Sequence, residues 1–187
     1  MRILITGFEP FRGSNTNITQ EIISQLPAQI GNREIVTICL PVSFQRAPVA
    51  LQQAIAQHQP DMILLLGQCP ASESIRLERF AMNMMDAKNP DNDGYTPSEE
   101  TIYLKAPLAY HSPINIKTIV HHLQEKELPA VVSNSAGLYV CNRVYYEALY
   151  GKQKALFIHI PKNMPINIAV NTLNAIFEYI TKSQHLN

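Results

Sequence analysis

Three side chains in this sequence have the types and placement needed for acyl transfer by a thiol. Cys141 lies early in a helix expected to start near Gly137, where the positive end of the helix macrodipole favours a thiolate. His159 ends the next strand, close enough in topology for its ring to face Cys141 and take the thiol proton. Glu78, on another strand, is able to accept the histidine's second N–H and orient the ring. Plainer readings stand beside this one. An early-helix cysteine beneath aromatic neighbours is commonly a small buried hydrophobe. A strand histidine is often a hydrogen-bonded core residue, and Glu78 next to Arg79 fits a solvated face. Cys69, just beyond a strand, is nearly as good a candidate, whereas Cys39 sits within a strand and reads as core.

Open α/β sheets bind ligands outside the carboxyl ends of their strands. That filter selects Phe8-Glu9-Pro10-Phe11, Gln68-Cys69-Pro70, Asn134-Ser135 with Cys141, and His159. No G-x-G-x-x-G, P-loop or G-x-S-x-G elbow is present, which removes dinucleotide, nucleoside triphosphate and serine-hydrolase chemistry as leading readings. His121 and His122 are adjacent on a helix and so point to different faces, where a metal pair would need i, i+4 spacing.

The elements that must position these residues alternate along the chain. Strands are expected at Arg2–Thr6, Glu34–Leu40, Asp61–Gly67, Ser74–Met82, Ala130–Ser133 and Ala155–Ile160. Helices are expected at Thr16–Leu26, Phe44–His58, Pro113–Glu127, Leu138–Tyr150 and Ile166–Lys182, with Pro48 tolerable only near a first turn. Asp86–Glu100, rich in Asn, Asp, Pro and Gly, reads as a long loop of the kind that often carries function. Nearly continuous apolar strands with helices between them predict one α/β domain over residues 1–187, built on a largely parallel sheet covered on both faces.

Composition narrows the partners. The 187 residues are 46% hydrophobic and only 16% charged, which excludes a disordered chain. Fifteen Lys+Arg balance fifteen Asp+Glu, so the basic excess of a nucleic-acid binder is missing. So little net charge leaves little repulsion between subunits, which makes self-association plausible. No apolar run approaches the roughly 18–20 residues that cross a bilayer. The start is too short for a signal-peptide core. Cys39, Cys69 and Cys141 share no metal-like spacing and read as reduced thiols. The expectation is a cytoplasmic protein, in which the sequon Asn17-Ile18-Thr19 has no glycosylation meaning.

Beyond these general features, Ser133-Asn-Ser-Ala-Gly-Leu-Tyr-Val-Cys-Asn142 resembles the cysteine signature of the pyroglutamyl peptidase I (pyrrolidone-carboxylate peptidase) family. Further blocks resemble that family in the same order: Thr6-Gly-Phe-Glu-Pro-Phe11, Leu40-Pro-Val42, Leu77-Glu-Arg79 with Asn83, Asp86-Ala87, Pro90-Asp-Asn92 and His159-Ile-Pro161. The resemblance implies an α/β/α sandwich with a mostly parallel mixed sheet. It also implies a Cys141–His159–Glu78 triad acting without metal or cofactor, and a dimer or tetramer. The implied activity removes an N-terminal pyroglutamyl residue from peptides. The implied lactam pocket uses Phe8 and Phe11, main-chain groups near Gln68, and Asn17 as a brace; Phe11 is alternatively a plain core residue at the end of strand one.

Pyroglutamate is a flat, uncharged lactam, which suits aromatic walls and a few backbone hydrogen bonds. Four departures from the family pattern lie near this pocket. Arg12 and Ile18 stand where the family has glycine and proline, and Ala71-Ser72 where it has Gly-Arg. Lys88 replaces an arginine credited with helping the oxyanion. A ligand- or partner-binding homologue with little turnover is the competing reading; a phosphorylase or transferase is disfavoured by the lack of a phosphate cradle.

Overall fold

The computed structural model describes residues 1–70 and 72–182, so Ala71 of the departing Ala71-Ser72 pair lies outside the described residues. The elements run β1 (Arg2–Phe8), α1 (Ile18–Gln25), β2 (Gln29–Ile30), β3 (Arg33–Leu40), α2 (Arg46–His58), β4 (Met62–Cys69) and β5 (Ile75–Glu78). They continue with β6 (Phe80–Met82), β7 (Ala109–His111), α3 (Ile116–Glu125), β8 (Ala130–Ser133), α4 (Val140–Tyr150), β9 (Ala155–Pro161) and α5 (Ile166–Lys182).

Among the described residues one seven-stranded sheet runs in the order β2-β3-β1-β4-β9-β5-β8. β3, β1, β4 and β9 are parallel neighbours. β5 runs antiparallel to β9, and β8 follows β5. The mixed α/β sandwich expected from the sequence is therefore present. Alternate strand residues feed two cores. Ile3, Ile5, Leu64, Leu66, Leu77 and Ile158 pack with residues of α1, α3 and α5. Leu4, Phe8, Ile63, Leu65 and Phe157 pack with α2 and α4 on the other face. Burial of such a side chain is worth roughly 1.5–3 kcal/mol, so two apolar faces hold the central strands against both helix layers.

Several boundaries differ from expectation, each for a packing reason. Ser74–Met82 is not one strand. The main chain of Arg79 leaves β5 to bond across to Ser133 O (2.7 Å) and from Ser112 N (2.9 Å). β6 then pairs with β7, a strand that the sequence pattern does not announce, in a separate two-stranded sheet. Helix α4 starts at Val140 rather than near Gly137, whose φ of 77° is left-handed. Cys69 is the last residue of β4 rather than beyond it. Cys39 is exposed, not core: β2 pairs with β3 only at Arg33 and Glu34, so the Cys39 end of β3 lies at the edge of the sheet. Pro48 lies in the first turn of α2, where its missing N–H costs no helical bond. At the end of β1, Gly7 lies so close to α1 that a Cβ there would meet Thr19 O at 2.6 Å. That absence of a side chain lets α1 press against the strand that delivers Phe8.

Candidate active site

The antiparallel pairing of β5 with β9 builds the first part of the site. Arg76 lies opposite His159 and Glu78 opposite Phe157, so Glu78 and His159 are diagonal neighbours on one face of the sheet. Glutamate is long enough to span such a diagonal. His159 Nδ1 lies 2.8 Å from Glu78 Oε1, with Glu78 fully buried and His159 nearly so. This disposes of the solvated-face reading of Glu78. Because Nδ1 faces the carboxylate, Nε2 is left for another partner. Phe157 packs against the imidazole with the ring planes tilted by 55° and the centroids 4.8 Å apart.

Gly67, opposite His159 on β4, completes this packing. A Cβ at Gly67 would lie 2.7 Å from Phe157 Cε1 and Cζ and 3.0 Å from His159 Cδ2. Phe157 is fully buried and has no room to retreat. Gly67→Ala should therefore leave a folded protein destabilised by about 1–3 kcal/mol. Displacing the imidazole should lower kcat/KM on the order of 100-fold. Thermal melts and steady-state kinetics on one preparation check both; unchanged kinetics would show that His159 tolerates the shift.

Arg76 is a second residue that sequence reasoning missed. Its Nε lies 3.6 Å from Glu78 Oε1, and its Nη2 donates to Ser133 Oγ at 2.7 Å. A buried carboxylate needs a nearby counter-charge, which Arg76 supplies from a side chain only partly exposed. The alternation of Ile75 and Leu77 with Arg76 and Glu78 held the signal, since it puts both charges on one strand face. Tyr145 of α4 donates its hydroxyl to Glu78 O at 3.0 Å, pinning the end of β5 to the helix that carries Cys141.

Cys141 is the second residue of α4 and half-buried. No side chain caps this helix, so the N–H groups of its first turn are free of a side-chain acceptor. The lowered thiol pKa expected from the helix start is not realised. Burial first, then the Glu78 carboxylate and Cys69, push the Cys141 thiol up to about 12, and a backbone hydrogen bond at Cys141 opposes them only in part. A lone thiolate here is disfavoured, so the proton must be handed to a base inside the site. Asn142 faces the other way, clamping Met82 and Met84 carbonyls (both 2.9 Å) and tying β6 to α4.

Phe8, Phe11, Asn17, Gln68 and Cys141 line one small pocket together with Val42, Tyr139 and Val140. Phe8 is the more deeply buried aromatic, while Phe11 is half-buried beyond the strand end. The core alternative raised for Phe11 thus fits Phe8 better. Asn17 caps α1, accepting from Thr19 N at 3.0 Å, and its Nδ2 donates to Glu9 O at 3.0 Å. Gln68 Oε1 accepts from Ile18 N at 3.3 Å. The long loop folds onto the same wall. Asn92 Nδ2 donates to Glu9 Oε1 and Pro10 O, and Tyr139 Oη donates to Pro90 O at 2.9 Å. Lys88 is exposed and is not among the residues lining the pocket. No group of three His, Cys, Asp or Glu side chains suited to a metal comes together among the described residues. No described helix is long and apolar enough to cross a membrane.

The sequence model of the pyroglutamyl peptidase family matches residues 1–176. The chain belongs to the pyroglutamyl peptidase family. The pyrrolidone-carboxylate peptidase of Thermococcus onnurineus is 40% identical over 98% of both chains. A mutant pyrrolidone carboxyl peptidase from P. furiosus superposes with a TM-score of 0.93 at 33% identity, covering 97% of this chain and 99% of that one. The enzyme from Fervidobacterium islandicum superposes equally well, at 34% identity and the same coverage. Within the pyroglutamyl peptidase fold, Val42, Tyr139 and Val140 are the pocket residues that sequence reasoning overlooked. Tyr139 stands two residues before Cys141, a position that carries it into the same pocket once α4 begins at Val140.

Proposed function

We propose that this chain is a cysteine exopeptidase that removes N-terminal pyroglutamate from peptides, with Cys141 as nucleophile, His159 as base and acid, and Glu78 as the anion that orients His159. The observation that carries this reading is the buried 2.8 Å His159–Glu78 contact, with Glu78 close enough for its charge to raise the thiol of Cys141, which lines the pocket with Phe8 and Phe11. His159 Nε2 takes the proton from Cys141 Sγ as the sulfur bonds to the pyroglutamyl carbonyl carbon. Proton transfer to the imidazole answers the thiol's high pKa, since the thiolate is formed only as the attack proceeds. The carbonyl oxygen becomes an oxyanion, for which the uncapped N–H groups of the first turn of α4 are the donors in this reading. As the tetrahedral intermediate collapses, the C–N bond breaks and His159 gives its proton to the leaving amine. Water, deprotonated by His159, then cleaves the thioester and releases pyroglutamate.

Phe8, Phe11 and Tyr139 offer apolar walls for the flat lactam, while an ordinary N-terminal glutamate would bring an ammonium and a carboxylate into them at a cost of several kcal/mol. Release of a chromogenic amine from the pyroglutamyl amide, measured beside the prolyl and glutamyl amides, tests the reading. Turnover of the pyroglutamyl amide alone is expected; none at all would leave the binding homologue.

Phe11 is the cleaner probe of the pocket. Phe11→Ala should lower kcat/KM for the pyroglutamyl amide about 30-fold, the loss of about 2 kcal/mol of aromatic anchor, mainly through KM. Phe8→Ala should in addition cost about 3–5 kcal/mol of stability, because Phe8 also belongs to the core beneath α2. An unchanged KM in folded Phe11→Ala would place the lactam elsewhere.

The reading takes residues 1–187 as one catalytic unit, supported by the family match over residues 1–176. It extends to a cytoplasmic location, supported by three free thiols of which Cys39 is exposed. It extends also to a dimer or tetramer, for which exposed Leu104, Leu108 and Tyr150 provide apolar surface.

A further inference from the structure

The mouth of the pocket carries a cation with no carboxylate to pair with. Arg12 is exposed, and its guanidinium carbon stands 5.7 Å from the centroid of the Phe11 ring and 5.5 Å from that of Tyr139. Both rings line the Cys141 pocket and lie 6.5 Å apart, so the guanidinium bridges the rims of two of its walls. Cation–π attraction holds it there without neutralising it. Among the described residues Arg12 takes part in none of the ion pairs.

The acidic groups nearby are already engaged. Glu9 Oε1 accepts from Val42 N at 3.0 Å and from Asn92 Nδ2 at 2.8 Å. Asp91 accepts from the backbone N–H groups of Phe44, Asp93 and Tyr95, each at 2.9 Å. Asp93 pairs with Arg46. The backbone at Arg12 is itself unusual. Its φ of 54° is left-handed, as is that of Gly13 at 71°, a conformation that glycine adopts freely and an L-residue only with strain. A long cationic side chain thus occupies a position whose backbone favours none, and it lies over the two aromatic walls.

We infer that Arg12 is a specificity-determining residue that favours peptides bearing a carboxylate on the residue that follows the pyroglutamyl group. The inference rests on the proposed hydrolysis of pyroglutamyl peptides in this pocket. The lactam is uncharged and gains nothing from a guanidinium. The rest of the peptide has to leave through the mouth, so the first residue beyond the scissile bond is the part of the substrate that meets Arg12. An acidic side chain there is attracted, and a lysine or arginine is repelled. The attraction operates across water at the rim, so it is modest and sensitive to salt.

The test compares kcat/KM for four substrates: pyroglutamyl-Glu-amide, pyroglutamyl-Ala-amide, pyroglutamyl-Lys-amide, and pyroglutamyl-Ala with its free carboxylate. The wild-type protein should prefer the Glu over the Ala amide, and the Ala over the Lys amide, by about 3- to 5-fold each at low salt, the size expected of an exposed ion pair. The free-acid arm separates a terminal carboxylate from a side-chain one. Arg12→Asn suits the left-handed backbone and should bring the Glu-to-Lys ratio near one, whereas Arg12→Lys should keep most of it. About 0.5 M NaCl should compress the wild-type ratio toward the Arg12→Asn value. A ratio equal in wild type and Arg12→Asn, with pyroglutamyl turnover intact, overturns the role of Arg12 and leaves the proposed activity standing. Calorimetric binding of the same amides to Cys141→Ala and Cys141→Ala/Arg12→Asn covers the opposite case. If the wild type shows no turnover, charge-dependent binding that needs Arg12 supports the inference and sinks the hydrolysis. Neither binding nor turnover overturns both.

Discussion

Cys141→Ser should lower kcat/KM for a pyroglutamyl amide by about 10⁴-fold or more, because a hydroxyl in the same place is a far poorer nucleophile and its proton is held more tightly. The protein should stay folded, since Cys141 is only half-buried and serine is smaller. Amine release and circular dichroism on one sample check this. In the wild type, inactivation by iodoacetamide should follow alkylation of Cys141. Exposed Cys39 will also react, so the assignment needs peptide mapping rather than a thiol count. His159→Ala separates the thiol from its base. With the thiol at about 12 against an ordinary 9.0, the thiolate fraction at pH 7 is about 1000-fold below that of a free cysteine. The thiolate is the reactive form, so alkylation of Cys141 in His159→Ala should be slow at pH 7 and rise about tenfold per pH unit towards pH 11. Fast, pH-independent alkylation in that variant would show that some other group activates the thiol.

Glu78→Gln should reduce kcat about 10³- to 10⁴-fold with little change in KM. Glutamine keeps the length and one acceptor oxygen for His159 Nδ1, but it withdraws the negative charge that stabilises the imidazolium formed during attack. Glu78 does not line the pocket proposed for the lactam, so substrate capture should not weaken. The change also leaves Arg76 facing a neutral amide at the 3.6 Å now spanned to the carboxylate. Steady-state kinetics on folded protein decide the matter. A kcat within a few-fold of wild type would mean that Glu78 only packs, and that the buried His159–Glu78 contact is structural.

Much of this site is legible in the amino-acid sequence. Residue type and position near element ends make Cys141, His159 and Glu78 candidates with Cys69 close behind; resemblance selects that trio and adds Phe8, Phe11, Asn17, Gln68 and Lys88, of which all but Lys88 line one pocket with Cys141. What is not legible follows from strand direction and close packing. Ser74–Met82 alternates only through Glu78, and the adjacent charges Glu78-Arg79 break the pattern where the chain leaves β5, but nothing local names β7 as the partner of β6. Nor does local pattern say that β5 runs against β9, the arrangement that places Glu78 diagonal to His159.

Local chemistry along the chain determined the alternation of strands and helices, the two apolar faces of the sheet and the residue types able to do acyl transfer. These depend on periodicity and side-chain identity, which belong to each segment alone. Only the tertiary structure decided the electrostatics and the fit. The Cys141 thiol is pushed up rather than down, because burial and the Glu78 carboxylate outweigh the backbone hydrogen bond at Cys141. Gly67 matters because Phe157 and His159 fill the space its Cβ would need. Arg76 and Arg12, anonymous charges in the sequence, became a counter-ion and a cation at the pocket mouth. Charge and volume act through space, and the neighbours that set their sign lie tens of residues away along the chain.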